Sequence, residues 1–259
     1  PEQIKSEFKN VVDLIFDVYK DFNITNYRCV LSLRDKEDKE KYYPDDEMWD
    51  KAENELREVL NELNIDYTEE IGEAAFYGPK LDVNVKPAVG NEYTLSTCQL
   101  DFCLPMKFDL KYVSKDGDKK TPVVLHRAIL GSLDRFMAYI LEETKGALPL
   151  WLSPTQINVI PVNNEYHTEY ANKIYELLKD NGFRVNIDLR DEKLSYKMRE
   201  SQTKKIPYTL ILGDKEKENN NISYRCFGNT DTKTIDTHEF ILLLKEQIRD
   251  KKWVTLFFF

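Results

Sequence analysis

A chain of 259 residues is long enough for two domains, each with its own core. Lys and Arg number 37 against 46 Asp and Glu; the formal net charge of -9 argues against a non-specific nucleic-acid binder, which needs clustered cations to displace counter-ions, and leaves open recognition of RNA by a local basic patch. There is no apolar run of about eighteen residues, so no membrane-spanning helix is expected. Cys29, Cys98, Cys103 and Cys226 form no CxxC pair and read as reduced, structural thiols. The N-terminus, PEQIKSEFKN, carries neither a basic-then-apolar signal nor an initiating Met, so the chain is expected to be a piece of a longer one.

Ile4, Phe8, Val11, Val12, Ile15, Tyr19 and Phe22 recur at helical spacing and predict an amphipathic helix over residues 2–22. Residues 27–33 (YRCVLSL) read as a strand and 34–43 as a charged, solvated loop. Asp45, Asp46 and Glu47 place acids in the first turn of a second helix, where they suit its dipole. That helix turns Trp49, Ala52, Leu56, Val59, Leu60 and Leu63 inward, and both helices read as scaffold. From residue 65 the pattern becomes β, with strands over 67–77, 80–86, 94–104, 110–113 and 123–125. Their short connections favour an antiparallel sheet, and helices on one face of it make an α+β arrangement rather than an alternating βαβ one.

Three polar clusters fall on this sheet. In the turn Tyr77-Gly78-Pro79-Lys80 a hydroxyl and a cation flank one sheet end, a pattern that an ordinary hairpin shares. Thr97, Gln99 and Asp101 alternate with Cys98, Leu100 and Phe102, so the three polar side chains share one face, as in a ligand-lined cleft or a solvated sheet. In TPVVLHRAILGSLDRF a strand runs into a helix whose inner stripe is Leu133, Phe136, Met137, Ile140 and Leu141, leaving Ser132 and Arg135 on the opposite face. An arginine there suits a phosphate, although one opposite an apolar stripe is more often simply a solvated residue. His126 suits a metal ligand or a hydrogen-bonded structural histidine. All three clusters are expected to meet on one sheet face.

Trp151-Leu152-Ser153-Pro154 reads as a linker, giving domains over 1–150 and 151–250 and a tail at 251–259. Strands at 156–162, 183–188 and 207–212 alternate with helices at 168–179 and 195–204. A hairpin around Asn219-Asn220-Asn221 leads to a strand over 222–226, and a helix over 241–248 closes a parallel-core α/β domain. Lys193, Lys197 and Lys204 fall near one helix face, with Arg190, Arg199 and Lys205 close by, as on a solvated helix or an RNA contact.

The words PEQIKSEF, DDEMWDKAENEL, GEAAFYGPKLD, CQLDFCLP, HRAILGSLDRF, LRDEKLSYKMRE and IPYTLILGDKE together resemble those of threonyl-tRNA synthetases, in that family's order and over nearly the whole chain. HRAILGSLDRF is similar to the third signature motif of class II synthetases. The resemblance implies part of an α+β, antiparallel-sheet class II catalytic core followed by an α/β anticodon-binding domain. It further implies activation of threonine with ATP and transfer to tRNA-Thr, Mg2+ and Zn2+ as cofactors, a homodimer when full length, and a cytoplasmic location.

On this sequence the resemblance implies that Arg135 contacts the ATP phosphates and that Lys80 brings a catalytic cation to the threonyl-adenylate pocket. Tyr77, Thr97 and Gln99 would line the threonyl-adenylate pocket, with Ser132 near the substrate and His126 as one of three zinc ligands. Lys193, Arg199, Glu216 and Arg225 would contact the anticodon. A zinc ion that takes two donor atoms of threonine answers a physical problem, because valine is nearly isosteric and an apolar pocket rejects it poorly. Two positions depart from the family pattern. Thr94 stands where Gln is usual, shortening a nucleotide or magnesium contact, and Asp191 stands where Asn is usual, replacing a donor by a charge. The first two class II motifs and the other zinc ligands are expected upstream of residue 1. The chain alone is therefore expected neither to hold zinc tightly nor to make adenylate. The alternatives are a non-enzymatic tRNA-binding module with a remnant core, or a prolyl- or glycyl-tRNA synthetase; the FYGPK word favours threonine.

Overall fold

The structure, a computed structural model, describes residues 3–88 and 90–253. The chain divides into two compact units, Pro1–Glu143 and Thr144–Phe259. Of the tail, residues 254–259 lie outside the described residues, as does Glu2 of the first expected helix.

In the first unit, α1 (Ile4–Asp21) buries Ile4, Phe8, Val11, Val12, Ile15 and Tyr19, the stripe expected from its spacing. It leads to β1 (Tyr27–Leu33) and, through residues 34–43, to α2 (Asp46–Glu62). That connection is exposed over 36–41, as expected of a solvated loop, but its ends are not: Arg34 is 5% exposed and Tyr42 6%. The acids at the start of α2 are the reason, since the Arg34 guanidinium pairs with Asp46 and, at 2.9 Å, with Asp50. It also stands 5.7 Å over the ring of the fully buried Trp49. A guanidinium can leave water when carboxylates satisfy its fork of donors. Asp45 caps α2 by accepting the Met48 N–H at 3.0 Å.

Next come β2 (Tyr67–Ile71), β3 (Lys80–Val85), β4 (Tyr93–Asp101), α3 (Cys103–Lys107), β5 (Tyr112–Val113), β6 (Lys119–Lys120), β7 (Val124–Ala128) and α4 (Leu133–Glu143). The strand expected over 67–77 stops early, where the Gly72 and Ala74 amides both donate to the Leu33 carbonyl (2.9 and 3.2 Å) and turn the chain. The one expected over 94–104 gives way to α3, whose first amides are taken by Asp101. The strand at 110–113 shrinks to a two-stranded β5–β6 hairpin outside the main sheet. That main sheet has the order β2-β1-β3-β4-β7, antiparallel except at its edge, where β1 and β2 run parallel. Its apolar face carries Leu81, Val83, Val85, Cys98 and Leu100, all fully buried. Tyr19 reaches Ser96 on this face at 2.7 Å, which places α1 over it. The other face is polar and carries the candidate site.

The helix α4 is rotated from the expected stripe. It buries Phe136, Tyr139 and Ile140, while Leu133 is 76% exposed and Met137 and Leu141 are each 43% exposed. Phe136 and Ile140 of the expected stripe stay buried, Phe136 in an edge-to-face pair with Phe22 at 4.8 Å, and Tyr139 joins them in place of the others.

In the second unit, β8 (Ile157–Pro161), α5 (Asn164–Asp180), β9 (Val185–Ile187), α6 (Leu194–Thr203) and β10 (Tyr208–Leu212) form the expected strand–helix alternation. Then follow α7 (Asp214–Asn219), β11 (Asn221–Cys226), β12 (Lys233–Asp236) and α8 (Thr237–Arg249). The sheet order is β12-β11-β10-β8-β9, parallel among β9, β8 and β10 and antiparallel at β11 and β12. Instead of the hairpin expected at residues 219–221, α7 ends at Asn220, whose φ of 50° puts it in the left-handed region that asparagine tolerates. Capping sets two helix starts earlier than periodicity did: Asn163 accepts the Glu165 amide at 2.7 Å, and Asp236 accepts those of His238 and Glu239 at 2.8 and 3.2 Å.

Burial pushes the Cys29 thiol from its ordinary 9.0 up to about 11, and the Cys98 thiol to about 12. It also lifts the Tyr139 phenol from 10.0 to about 12. Groups that hold their protons more tightly when folded stabilise the fold below their unfolded pKa, and lose that contribution as pH rises through the folded value. The urea midpoint should therefore be steady from neutrality to about pH 9 and fall between about pH 9 and 12. A midpoint unchanged across that alkaline range would contradict the burial of these groups.

Candidate functional site

The polar face of the first sheet is built by strand register. Lys80 and Asp82 of β3 lie opposite Gln99 and Thr97 of β4, and Gln99 in turn lies opposite His126 of β7. A side chain in a strand shares its face with its direct cross-strand partner, so these five groups stand together. Tyr77 joins them through the turn before β3. Gly78 makes this possible, because a Cβ there would stand 2.1 Å from the Leu100 carbonyl oxygen. With no side chain in the way, the turn lies flat on β4, where Leu100 N–H donates to Pro79 (3.0 Å) and Phe102 N–H to Tyr77 (3.2 Å).

The groups form one hydrogen-bonded chain. The Tyr77 hydroxyl donates to Gln99 Oε1, Gln99 Nε2 donates to Thr97 Oγ1 at 3.3 Å, and Thr97 Oγ1 donates to Asp82 Oδ1 at 2.8 Å. The Lys80 ammonium ion-pairs with the other Asp82 oxygen. Burial, followed by the charges of Asp101 and Asp82, raises the Tyr77 pKa, so its hydroxyl stays a donor.

Asp101 ends β4 fully buried. Its Oδ1 accepts the Cys103 and Leu104 amides at 3.0 and 2.9 Å, and its Oδ2 meets His126 Nε2 at 2.8 Å. His126 is 44% exposed at its side chain, and its ring lies 5.7 Å from that of Tyr77. A carboxylate on one ring nitrogen fixes the imidazole and leaves Nδ1 for a further partner, the arrangement that orients metal-bound histidines. Among the described residues, however, no three His, Cys, Asp or Glu side chains gather so as to hold a metal. Zinc takes three or four protein ligands, so His126 and Asp101 do not make a zinc site by themselves.

The junction after β7 places the remaining groups. Gly131 has φ +64°, and a Cβ there would meet the Leu95 carbonyl oxygen at 3.2 Å. Ser96 Oγ donates to the Ile129 carbonyl just before this turn. Ser132 Oγ faces the Arg135 amide at 3.4 Å, at the start of α4. The Arg135 guanidinium lies 5.8 Å over the Tyr93 ring, at the opposite end of β4 from Gln99. At about 3.4 Å per residue that is roughly 20 Å along the strand from His126. Thr94 lies at that same end and donates to Asn84 Oδ1 at 2.8 Å. The three polar clusters thus do not meet on one sheet face as expected: a register shift in β4 pairs Tyr93 with Val85 of the apolar face, and Arg135 and His126 stand at the two ends of the strand.

In the second unit Glu216 and Arg225 belong to one patch. Glu216 accepts the Gly213 amide (2.9 Å) and the Ser223 hydroxyl (2.6 Å), and Ser223 is two residues from Arg225 on the same face of β11. Arg225 Nη2 donates to Thr232 at 3.1 Å, while its buried Nε has no hydrogen-bond partner. Lys193, just before α6, and Arg199, on it, are both exposed. The basic helix face expected from Lys193, Lys197 and Lys204 is broken at its centre. Lys197 is 2% exposed, with its ammonium on the Asp188 carbonyl at 3.1 Å, and Lys204 pairs with Glu200 at 2.7 Å.

Asp82 and Asp101 are the site groups that sequence reasoning left without a role. Asp101 was visible as the third polar residue of the alternation, but only register shows that it meets His126.

Residues 1–144 match the model of the tRNA synthetase class II core domain (G, H, P, S and T), and residues 156–247 that of the anticodon binding domain. A threonine–tRNA ligase of Staphylococcus carnosus is 56% identical over 252 residues, which is 97% of this chain and 39% of the relative. The chain therefore spans about two-fifths of the length of the curated relatives it matches. The crystal structure of the RNA binding domain of threonyl-tRNA synthetase from Cryptosporidium parvum has a TM-score of 0.86 at 34% identity, covering 95% of this chain and 61% of that one. Prolyl-tRNA synthetase from the same organism shares the fold, with a TM-score of 0.61 at 15% identity, covering 97% and 48% of the two chains.

Two substitutions test the site's construction. Gly78→Ala should lower stability by about 1–3 kcal/mol, because its methyl meets backbone rather than a movable side chain. Asp101→Asn should cost about 1.5–3 kcal/mol, because it removes charge-assisted hydrogen bonds from a buried position. Urea denaturation reads both, and an unchanged midpoint in either variant would contradict the described packing.

Proposed function

The chain belongs to the class II tRNA synthetase core family (G, H, P, S and T), with an anticodon-binding domain after the core, and from that premise we propose that it is part of a threonine–tRNA ligase. The ligase would activate threonine with ATP and transfer it to tRNA-Thr. The observation that carries this reading is the connected polar face of Tyr77, Gln99, Thr97, Asp82 and Lys80 beside His126.

An extended ligand lying along β4 would meet His126 at its amino-acid end and Arg135 at its nucleotide end. Tyr77, Thr97 and Gln99 offer hydroxyl and amide groups to the polar part of threonine. Lys80, held by Asp82, supplies a fixed cation beside the reacting phosphate, and Arg135 supplies a second one for the nucleotide phosphates. Phosphoryl chemistry of this kind asks the protein mainly for orientation and positive charge. Ser132 orders the first turn that carries Arg135, and Thr94 stands with Asn84 on the nucleotide side. ATP, Mg2+ and Zn2+ belong to this proposal as cofactors; zinc would polarise the substrate's amino and hydroxyl groups and would need ligands beyond His126.

In the second unit Lys193, Arg199, Glu216 and Arg225 would read the anticodon. Arginine and glutamate offer donor and acceptor edges to unstacked bases. The unsatisfied Nε of Arg225 is a buried donor that such a base would satisfy. A homodimeric, cytoplasmic enzyme completes the reading.

Aminoacylation by the complete gene product with each of the twenty amino acids tests the assignment. Threonine alone should be charged, and Arg135→Ala should lower kcat/KM by about 10²–10³-fold, as expected for loss of one transition-state charge contact. Charging of proline, glycine or any other amino acid in place of threonine would overturn the reading. The 259-residue chain alone should show no ATP–pyrophosphate exchange.

A further inference from the structure

Strand β8 reads INVIP and is buried along its whole length, with Asn158 the one polar side chain in it. Asn158 is 4% exposed, yet its one described hydrogen bond is from Asn186 Nδ2 to its Oδ1 at 2.7 Å. An asparagine amide can take about four hydrogen bonds, so Asn158, which lines a cavity, has capacity left for a further partner there. Register makes it part of a row: Asn186 of β9 lies opposite Asn158, Asn158 opposite Thr209 of β10, and Thr209 opposite Arg225 of β11. Helix α6 covers the middle of that row, where Ser201 bonds Thr209 at 2.6 Å. At the β9 end the row opens into a cavity of about 450 Å³.

This cavity has a definite chemistry. Asn158 and Asn186 both line it, joined by one hydrogen bond. Whichever way the two amides are turned, one NH2 and one C=O remain side by side, a paired donor and acceptor. Ile187 and Ile206 give it apolar sides. At its rim Arg190 pairs with Asp188 (2.7 Å) and with Glu200 (2.5 Å), and Glu200 also pairs with Lys204 (2.7 Å). With Lys197, whose buried ammonium also lines the cavity and sits on the Asp188 carbonyl at 3.1 Å, three cations stand against two carboxylates, and the one surplus positive charge suits a ligand that carries a phosphate. A planar, uncharged head with an adjacent donor and acceptor and apolar faces is a nucleobase. The volume falls in the range of small-molecule pockets and exceeds what one amide side chain would need.

We propose that this cavity between α6 and the β8–β9 edge is a nucleobase-binding site, with the Asn158–Asn186 pair reading the hydrogen-bonding edge of the base and the Lys204 side of the rim accommodating its phosphate. It is separate from the patch of Lys193, Arg199, Glu216 and Arg225, none of which lines it. The base can come from a free nucleotide or from an unpaired stretch of RNA. The inference stands on this geometry alone and does not depend on the ligase reading.

The test is titration of the 259-residue chain, followed by amide NMR shifts and calorimetry, with the four nucleoside 5′-monophosphates, a short unpaired RNA and inorganic phosphate. Saturable binding of a nucleotide or of the RNA is expected, with shifts at Asn158, Asn186 and Ser201. Asn158→Val should weaken it at least about tenfold while keeping or raising the melting temperature, because valine fits a buried strand. Asn186→Leu, at an exposed position, should weaken it similarly, and keeps the test decisive if Asn158→Val fails to fold. Tighter binding of RNA than of mononucleotides would make RNA the source, and the reverse a free nucleotide; either supports the site. No saturable binding by any nucleotide or the RNA, binding by the variants within about twofold of the parent, or full displacement by inorganic phosphate would each overturn it.

Discussion

A single fully buried carboxylate organises the first unit. Asp101 closes β4, starts α3 and holds His126, all through its two oxygens. A carboxylate leaves water at a cost of several kcal/mol unless its lone pairs are used, and here two amides and an imidazole use them. The same bonds therefore satisfy a buried charge and fix a ring at the sheet surface. Because Asp101 is the last of three alternating polar residues on β4, the strand that it terminates also carries Thr97 and Gln99 on the face where His126 stands.

Close backbone approach is the second constraint. Gly78 lets the turn before β3 lie against β4, and Gly131 lets the turn after β7 lie against Leu95. One brings Tyr77 to Gln99, and the other sets the first turn of α4, from which Arg135 projects. A side chain at either glycine would push a functional residue off the sheet. The site is thus made from rigid neighbours rather than from a long loop, which suits chemistry that depends on orientation.

Much of this was legible in the sequence. Period-2 alternation put Thr97, Gln99 and Asp101 on one face, and helical spacing marked the six buried residues of α1. What stayed hidden depends on partners distant in the chain. The burial of Arg34 requires Asp46 and Asp50, and the early end of β2 requires the Leu33 carbonyl. On α4 only Phe136 and Ile140 of the expected row are buried, Phe136 against Phe22, the residue that caps α1. In the second unit Lys197 looked like part of a cationic face, but its ammonium is drawn inward by a backbone carbonyl. Asn158, Asn186 and Thr209 are unremarkable one by one; only register shows that they form, with Arg225, a polar row beneath a helix. Caps were readable in principle, since Asn163 and Asp236 are good capping residues, but apolar periodicity alone starts those helices too late.

The central claim is that the face formed by β3, β4 and β7 is a ligand site whose groups are positioned together. The most direct measurement is calorimetric titration of the complete gene product, and of its Gln99→Leu variant, with a non-reacting sulfamoyl analogue of threonyl-adenylate. The account predicts saturable binding by the parent and at least about tenfold weaker binding by the variant at equal stability, the loss expected when buried hydrogen-bonding groups lose their partner. Equal affinity in the two proteins, or no binding by either, would contradict it.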